Sequence, residues 1–164
     1  MGVQSRLIGY IEEAWPGASA NGDVKQMQKL RDTDCEIIRH NETVLNELPI
    51  EDKWPPLCRH MFGWAPTKTP MIIYKNRLIH FAASLKEMDW ALRDWLDKFE
   101  LLLRQLYWES AFVRFEGAYL GDFEFTWLPN RSWVEQLCDA KLSPITEWSF
   151  SSTMPLDDLA GLRE

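Results

Sequence analysis

The 164-residue chain contains no run of 18 or more apolar residues, so no membrane-spanning helix is expected. Cysteine is scarce. Cys35, Cys58 and Cys138 form an odd, dispersed set, which is not a disulfide framework and points to a reducing compartment. The opening MGVQSRLIGYIEEAWPG lacks the marks of a signal peptide: Arg6 is its only early positive charge, and Glu12 and Glu13 break it before an apolar stretch can form. Arg6 also stands where a myristoylation signal wants Ser or Thr. These absences together lead to the expectation of a soluble, cytoplasmic-type protein with no membrane partner.

Catalytic signatures are missing as well. No Gly-x-Ser-x-Gly occurs. Gly117-x-x-x-Gly121 lacks the following Lys-Ser/Thr of a phosphate loop and precedes no helical pattern. Cys35, His40, Cys58 and His60 are the residue types of a zinc site, but Cys58-Arg59-His60 leaves one residue between ligands, too tight for the usual chelate loop. Cys138 lies at helical spacing from Val134 and reads as core. The pairs Glu12-Glu13, Asp32 with Asp34, Glu116 with Asp122 and Glu124, and Asp157-Asp158 read as solvated faces in a chain with 25 acids. No metal or cofactor is expected.

Basic residues are short in one region only. Residues 1–108 carry 14 basic and 15 acidic side chains, whereas residues 109–164 carry 4 and 10. Nearly all of the net charge of −7 therefore sits in the last third. Nucleic-acid binding wants a concentrated basic patch and is not expected. An acidic region attracts a basic protein instead.

What is present in quantity is apolar and aromatic material, and its periodicity suggests an α+β fold. Leu7, Ile8, Tyr10, Ile11 and Trp15 fit a short amphipathic helix over 3–15, stopped by Pro16-Gly17. Val24, Met27 and Leu30 suggest a second helix after a possible N-cap at Asp23, and 34–48 a third, with Asn41 as an interruption. Five prolines between 49 and 70 argue against regular structure there. Trp54, Leu57, Met61, Phe62 and Trp64 make that segment an ordered, packed loop with one helical turn at 56–62. Residues 71–75 and 77–83 flank Asn76 as a tight hairpin.

Ser84-x-x-Glu87 reads as a capping box opening a long central helix, about 84–107, with an apolar stripe from Leu85 to Leu106. Asp89–Arg93, Asp94–Lys98 and Glu100–Arg104 are spaced as surface ion pairs. Residues 111–117 and 122–128 alternate as two antiparallel strands. Ala111, Val113, Phe115, Phe123, Phe125 and Trp127 face one side, and Arg114, Glu116, Glu124 and Thr126, with Phe112, the other. Ser132-x-x-Glu135 opens a short helix to about 141, and ITEWSFSS forms a last strand. Residues 153–164 form a partly loose tail with helical spacing of Leu156, Leu159 and Leu162. The expectation is one globular domain over 1–164: a mainly antiparallel sheet of about five strands packed on the long helix, with the N-terminal helices beside it.

Nine tryptophans are the sharpest feature. On a helix through 108, at about 100° per residue, Trp90, Leu101 and Trp108 form a narrow band opposite the main stripe. Such a band is either covered by the N-terminal helices or an interface, where tryptophan is enriched. The leading functional expectation is an acidic protein-binding module that sequesters or regulates a basic partner, in its most concrete form a bacterial toxin-immunity protein. Its contact residues would be Trp90, Leu101 and Trp108 with Arg114, Glu116, Asp122 and Glu124. The alternatives are a small hydrolase using His60 or His80 with a carboxylate, and a structural subunit or homodimer burying the Trp band against its own copy.

Overall fold

The computed structural model describes residues 3–14, 24–64, 77–130 and 147–161. Among the described residues six strands form: β1 (Gln4–Glu13), β2 (Phe62–Trp64), β3 (Leu78–Lys86), β4 (Trp108–Glu116), β5 (Asp122–Pro129) and β6 (Trp148–Ser152). Three α-helices are described: α1 (Val24–Asn46), α2 (Leu92–Leu103) and α3 (Leu156–Gly161). The strands form one sheet in the order β2-β3-β1-β4-β5-β6, with every neighbouring pair antiparallel. The expected α+β class and antiparallel sheet hold. The layout of helices around it does not.

The first correction falls on residues 3–15. Instead of a helix they form β1, a central strand hydrogen-bonded to β3 on one side and β4 on the other. Leu7, Ile8, Tyr10 and Ile11 satisfy either period over so short a span. Pairing on both edges selects the strand, sending Ser5, Leu7, Ile11 and Glu13 inward and leaving Ile8 and Tyr10 exposed.

The second concerns the two helical pieces expected from 23 to 48, which are one helix, α1. Asn41 does not interrupt it. The Asn41 side chain is buried and serves the backbone of Tyr107 from both ends: Nδ2 donates to its carbonyl at 3.0 Å and Oδ1 accepts from its N–H at 2.9 Å. A polar residue inside a helix is stable here because both halves of its amide are matched.

The third is the long central helix. It starts at Leu92, not Ser84, and ends at Leu103. Ser84 belongs to β3, and its hydroxyl donates to Gln4 Oε1 across the strand pair at 3.0 Å. Glu87 adopts a left-handed backbone, φ 58°, which turns the chain into a 3₁₀ turn at Met88–Trp90. The expected surface ion pairs resolve differently too. Asp89 turns inward, Lys98 pairs with Asp52 at 2.8 Å, and Glu100 accepts from the Trp127 indole at 3.0 Å.

The core lies between the inner sheet face and α2. Trp95 and Phe99 stack at 5.3 Å and reach Phe81 of β3 and Trp127 of β5. Each fully buried indole finds an acceptor, as a buried donor must: Trp95 donates to Pro56 O, Trp108 to Leu103 O and Trp127 to Glu100. Lys98 ties the proline-rich segment to α2 by donating to Asp52 and to the carbonyls of Lys53 and Pro55. That segment carries a 3₁₀ turn at Arg59–Met61, within the turn expected at 56–62, and then β2. The hairpin arm 71–75, the helix 132–141 and Cys138 lie outside the described residues. The tail forms α3, with Leu159 and Met154 buried.

Candidate functional site

The hairpin β4–β5 alternates as its sequence suggests. Ala111, Val113, Phe115, Phe125 and Trp127 are buried, and the other faces are turned away from the core. The register sets Arg114 opposite Glu124 and Glu116 opposite Asp122. Arg114 therefore sits among three carboxylates, at 3.3 Å from Glu116, 3.7 Å from Asp122 and 3.0 Å from Glu124. The hydrogen bonds it donates to Glu116 and Glu124 raise its pKa above the ordinary value, so the guanidinium stays charged. Arg6 of β1 approaches Glu116 at 3.6 Å. The four hairpin residues of the expected partner surface are thus brought together. They form a partly self-neutralised network, not an open row of carboxylates.

The same outer face continues across the sheet. His80, Tyr10, Phe112 and Thr126 are register partners on β3, β1, β4 and β5, with Tyr10 and Phe112 stacked at 5.6 Å. Ile8, Tyr10, Leu78 and Leu128 remain exposed on it.

The expected Trp90–Leu101–Trp108 band does not exist as one surface. Its geometry required a helix through residue 108. Trp90 precedes α2 in the 3₁₀ turn and is 67% exposed, and Leu101 is on α2 and is 60% exposed. Trp108 opens β4, is fully buried and lies 6.0 Å from the Trp148 ring. It is a core residue.

Next to Trp90 lies a feature that sequence reasoning missed. Asp89 is completely buried and accepts from the Ser5 hydroxyl at 2.7 Å. It also accepts from three successive backbone N–H groups of the β4–β5 loop: Ala118 at 3.4 Å, Tyr119 at 2.9 Å and Leu120 at 2.9 Å. This is a backbone nest of the kind that holds anions, filled by the chain's own carboxylate. Burial alone would raise the Asp89 pKa. The Leu120 N–H, the Ser5 hydroxyl and the N–H groups of Tyr119 and Ala118 outweigh it and hold the carboxyl below its ordinary value. Both loop glycines are required. A Cβ on Gly117 would stand 2.8 Å from Asp89 Oδ1 and 2.7 Å from the Gly121 carbonyl, and Gly121 has φ 98°. The signal was present as Gly117-x-x-x-Gly121, but its anion was 28 residues away in sequence and looked like a surface acid.

A second buried carboxylate lies at the other end of β1. Glu13 Oε1 accepts from Arg77 Nε at 2.9 Å and Nη2 at 2.7 Å, while Arg77 Nη1 reaches Glu42 of α1 at 3.0 Å. Glu13 Oε2 is buried with no hydrogen-bond partner. Burial pushes the Glu13 pKa up to about 7, against the pull of Arg77 and Asn41 and with help from the nearby Glu42 charge. The guanidinium stays charged, because it has Glu42 as well as Glu13.

The residues weighed for chemistry are dispersed. His60 is exposed in the 3₁₀ turn, and His80 projects from the outer sheet face with its ring against Gly63. His40 Nε2 donates to the Gln105 carbonyl at 2.7 Å, and its ring lies 4.5 Å from that of Tyr107. Cys35 is exposed and Cys58 half-buried. Among the described residues no group of three His, Cys, Asp or Glu is placed to hold a metal ion, and no helix is long and apolar enough to cross a membrane. No protein-family model matches the chain, and no curated protein or solved structure is significantly similar to it.

Proposed function

We propose that the chain is an acidic protein-binding module that captures a basic protein and blocks or regulates it, in its most concrete form a bacterial toxin-immunity protein. The observation that carries this reading is the outer face of β4–β5. Three carboxylates converge there on one arginine, beside exposed apolar side chains of β1, β3 and β5. Arg114 holds Glu116, Asp122 and Glu124 in a fixed arrangement while cancelling only part of their charge. A fixed excess of negative charge steers a cationic surface into contact, and the apolar neighbours, once desolvated, slow its release. The carboxylates would act by lying over the partner's cationic active site.

The test is co-purification from the native lysate with two baits, the wild-type chain and a Glu116→Lys/Glu124→Lys variant. The expected result is a stoichiometric basic protein held by the wild type and lost from the variant. Its association should slow about tenfold or more as salt is raised. Identical proteins on both baits would overturn the reading.

A further inference from the structure

Three segments far apart in sequence meet at the end of β1, and one guanidinium joins them. Glu13 closes β1, Arg77 stands just before β3, and Glu42 lies on α1. Arg77 is buried, donates to Glu13 Oε1 through Nε and Nη2, and turns Nη1 to Glu42 at 3.0 Å. The backbone repeats the connection. The Glu13 N–H donates to the Arg77 carbonyl at 2.9 Å. The Tyr107 carbonyl, just before β4, accepts from the Ala14 N–H at 3.1 Å and from Asn41 Nδ2 of α1 at 3.0 Å. These polar ties of α1 to the sheet gather where β1 ends.

The described charges in this cluster do not balance. Two carboxylates face one guanidinium. Glu42 is partly open to water, so the excess falls on Glu13, which is buried and has Oε2 without a hydrogen-bond partner. The neighbouring titratable groups are engaged elsewhere. Glu12 accepts from the Ser110 hydroxyl at 2.8 Å, and His40 of α1 lies against the Tyr107 ring with Nε2 on the Gln105 carbonyl. A buried excess charge is costly, and a carboxyl sheds it by taking up a proton.

We infer that Glu13, Arg77 and Glu42 form a proton-operated clasp for α1: with a proton on Glu13 the helix is held closed on the sheet, and loss of that proton opens the junction between α1 and the end of β1. With Glu13 neutral, the Arg77 charge is left to Glu42 and ties α1 down. With Glu13 ionised, one guanidinium serves two carboxylates, and the uncompensated charge draws water into the junction. The raised pKa of Glu13 places the change near neutral pH. The clasp is at full strength below the ordinary carboxyl value of 4.5 and weakens as pH rises to about 7.

The experiment is amide exchange of the full chain across this pH range, expressed as protection so that the intrinsic base dependence of exchange is removed, with the Glu13 carboxyl carbon followed by NMR. The expected result is that protection at Asn41, Glu42 and Leu45 falls about tenfold per pH unit and levels off once Glu13 has titrated. It should stay below that at Val113 and Phe125 of β4–β5, because α1 opens while the sheet is intact. Glu13→Gln should abolish the pH dependence and keep α1 protected. Glu42→Gln, which leaves Arg77 wholly to Glu13, should move the fall to lower pH, and His40→Gln should leave it in place. Equal protection in α1 and in β4–β5 at every pH would overturn the clasp, since the helix would then open only with the whole fold. A Glu13 carboxyl that titrates near 4.5 in the wild type would overturn it too, as would a pH dependence that survives Glu13→Gln or disappears in His40→Gln.

Discussion

Two carboxylates are buried at opposite ends of β1, and they behave in opposite ways. Asp89 lies against Ser5 with four donors around it, and its pKa is held below the ordinary value. Glu13 has both of its donor contacts on one oxygen, leaves the other unpartnered, and has a pKa pushed to about 7. Burial penalises the charge in each. What separates them is how completely the lost water is replaced. Three backbone N–H groups and a hydroxyl surround Asp89 without bringing a competing negative charge. Arg77 must divide itself between Glu13 and Glu42, so the guanidinium is already neutralised in part when it reaches Glu13.

The most severe way to break the comparison is Asp89→Ala. It strands three loop N–H groups and the Ser5 hydroxyl, and is expected to destabilise the fold by roughly 3–5 kcal/mol in denaturant unfolding. It should also release the 117–121 loop, read as faster amide exchange at Tyr119 and Leu120.

Next comes Glu13→Gln, which sharpens the comparison through pH. A carboxyl whose folded pKa lies above its unfolded value contributes its full stability below the unfolded pKa and loses it as pH rises through the folded one. For Glu13 that window runs from about 4.5 to about 7. The wild type and Glu13→Gln should therefore be nearly equal near pH 4.5. Above pH 7 the variant should be the more stable, by on the order of 2–3 kcal/mol. Asp89 has the opposite slope. Its pKa is depressed, so its contribution is present above the ordinary value of 3.8 and is lost as pH falls below it. A stability gap between wild type and Glu13→Gln that does not change with pH would remove the contrast.

Gly117→Ala presses on the Asp89 end alone. Its methyl would collide with Asp89 and with the Gly121 carbonyl, and about 1–3 kcal/mol of lost stability is expected in thermal or denaturant melts. Trp90→Ala should change stability least, by about 0.5 kcal/mol or less, because the ring is exposed. A large loss on that substitution would show that Trp90 supports the fold and is not held out for a partner.

Much of the β4–β5 site was legible in sequence because a solvated antiparallel pair writes its faces as alternation. Arg114, Glu116, Asp122 and Glu124 were placed together on that pattern, and the register agrees. The aromatic part was half legible. Trp90 stood out as apolar on a charged face, but it precedes α2 and Trp108 follows it in β4, so only Leu101 of the expected band lies on that helix.

The sequence by itself determined what local chemistry can determine: the α+β class, the hairpin β4–β5, the position of β6, the turn at Arg59–Met61 and the concentration of acid in the last third. Tertiary structure alone decided the rest. Residues 4–13 became a strand because β3 and β4 supply partners for both of its edges. Ser84-x-x-Glu87 failed as a helix start because Ser84 lies within β3, whose residues 78–86 pair with β1. Asp89 and Glu13, each written in sequence as an ordinary surface acid, were buried because their donors come from segments up to 84 residues away. Periodicity reports which residues share a face. It carries no record of the distant groups that complete a hydrogen bond, and those groups set both the charge state of the buried acids and the rigidity of the surface beside them.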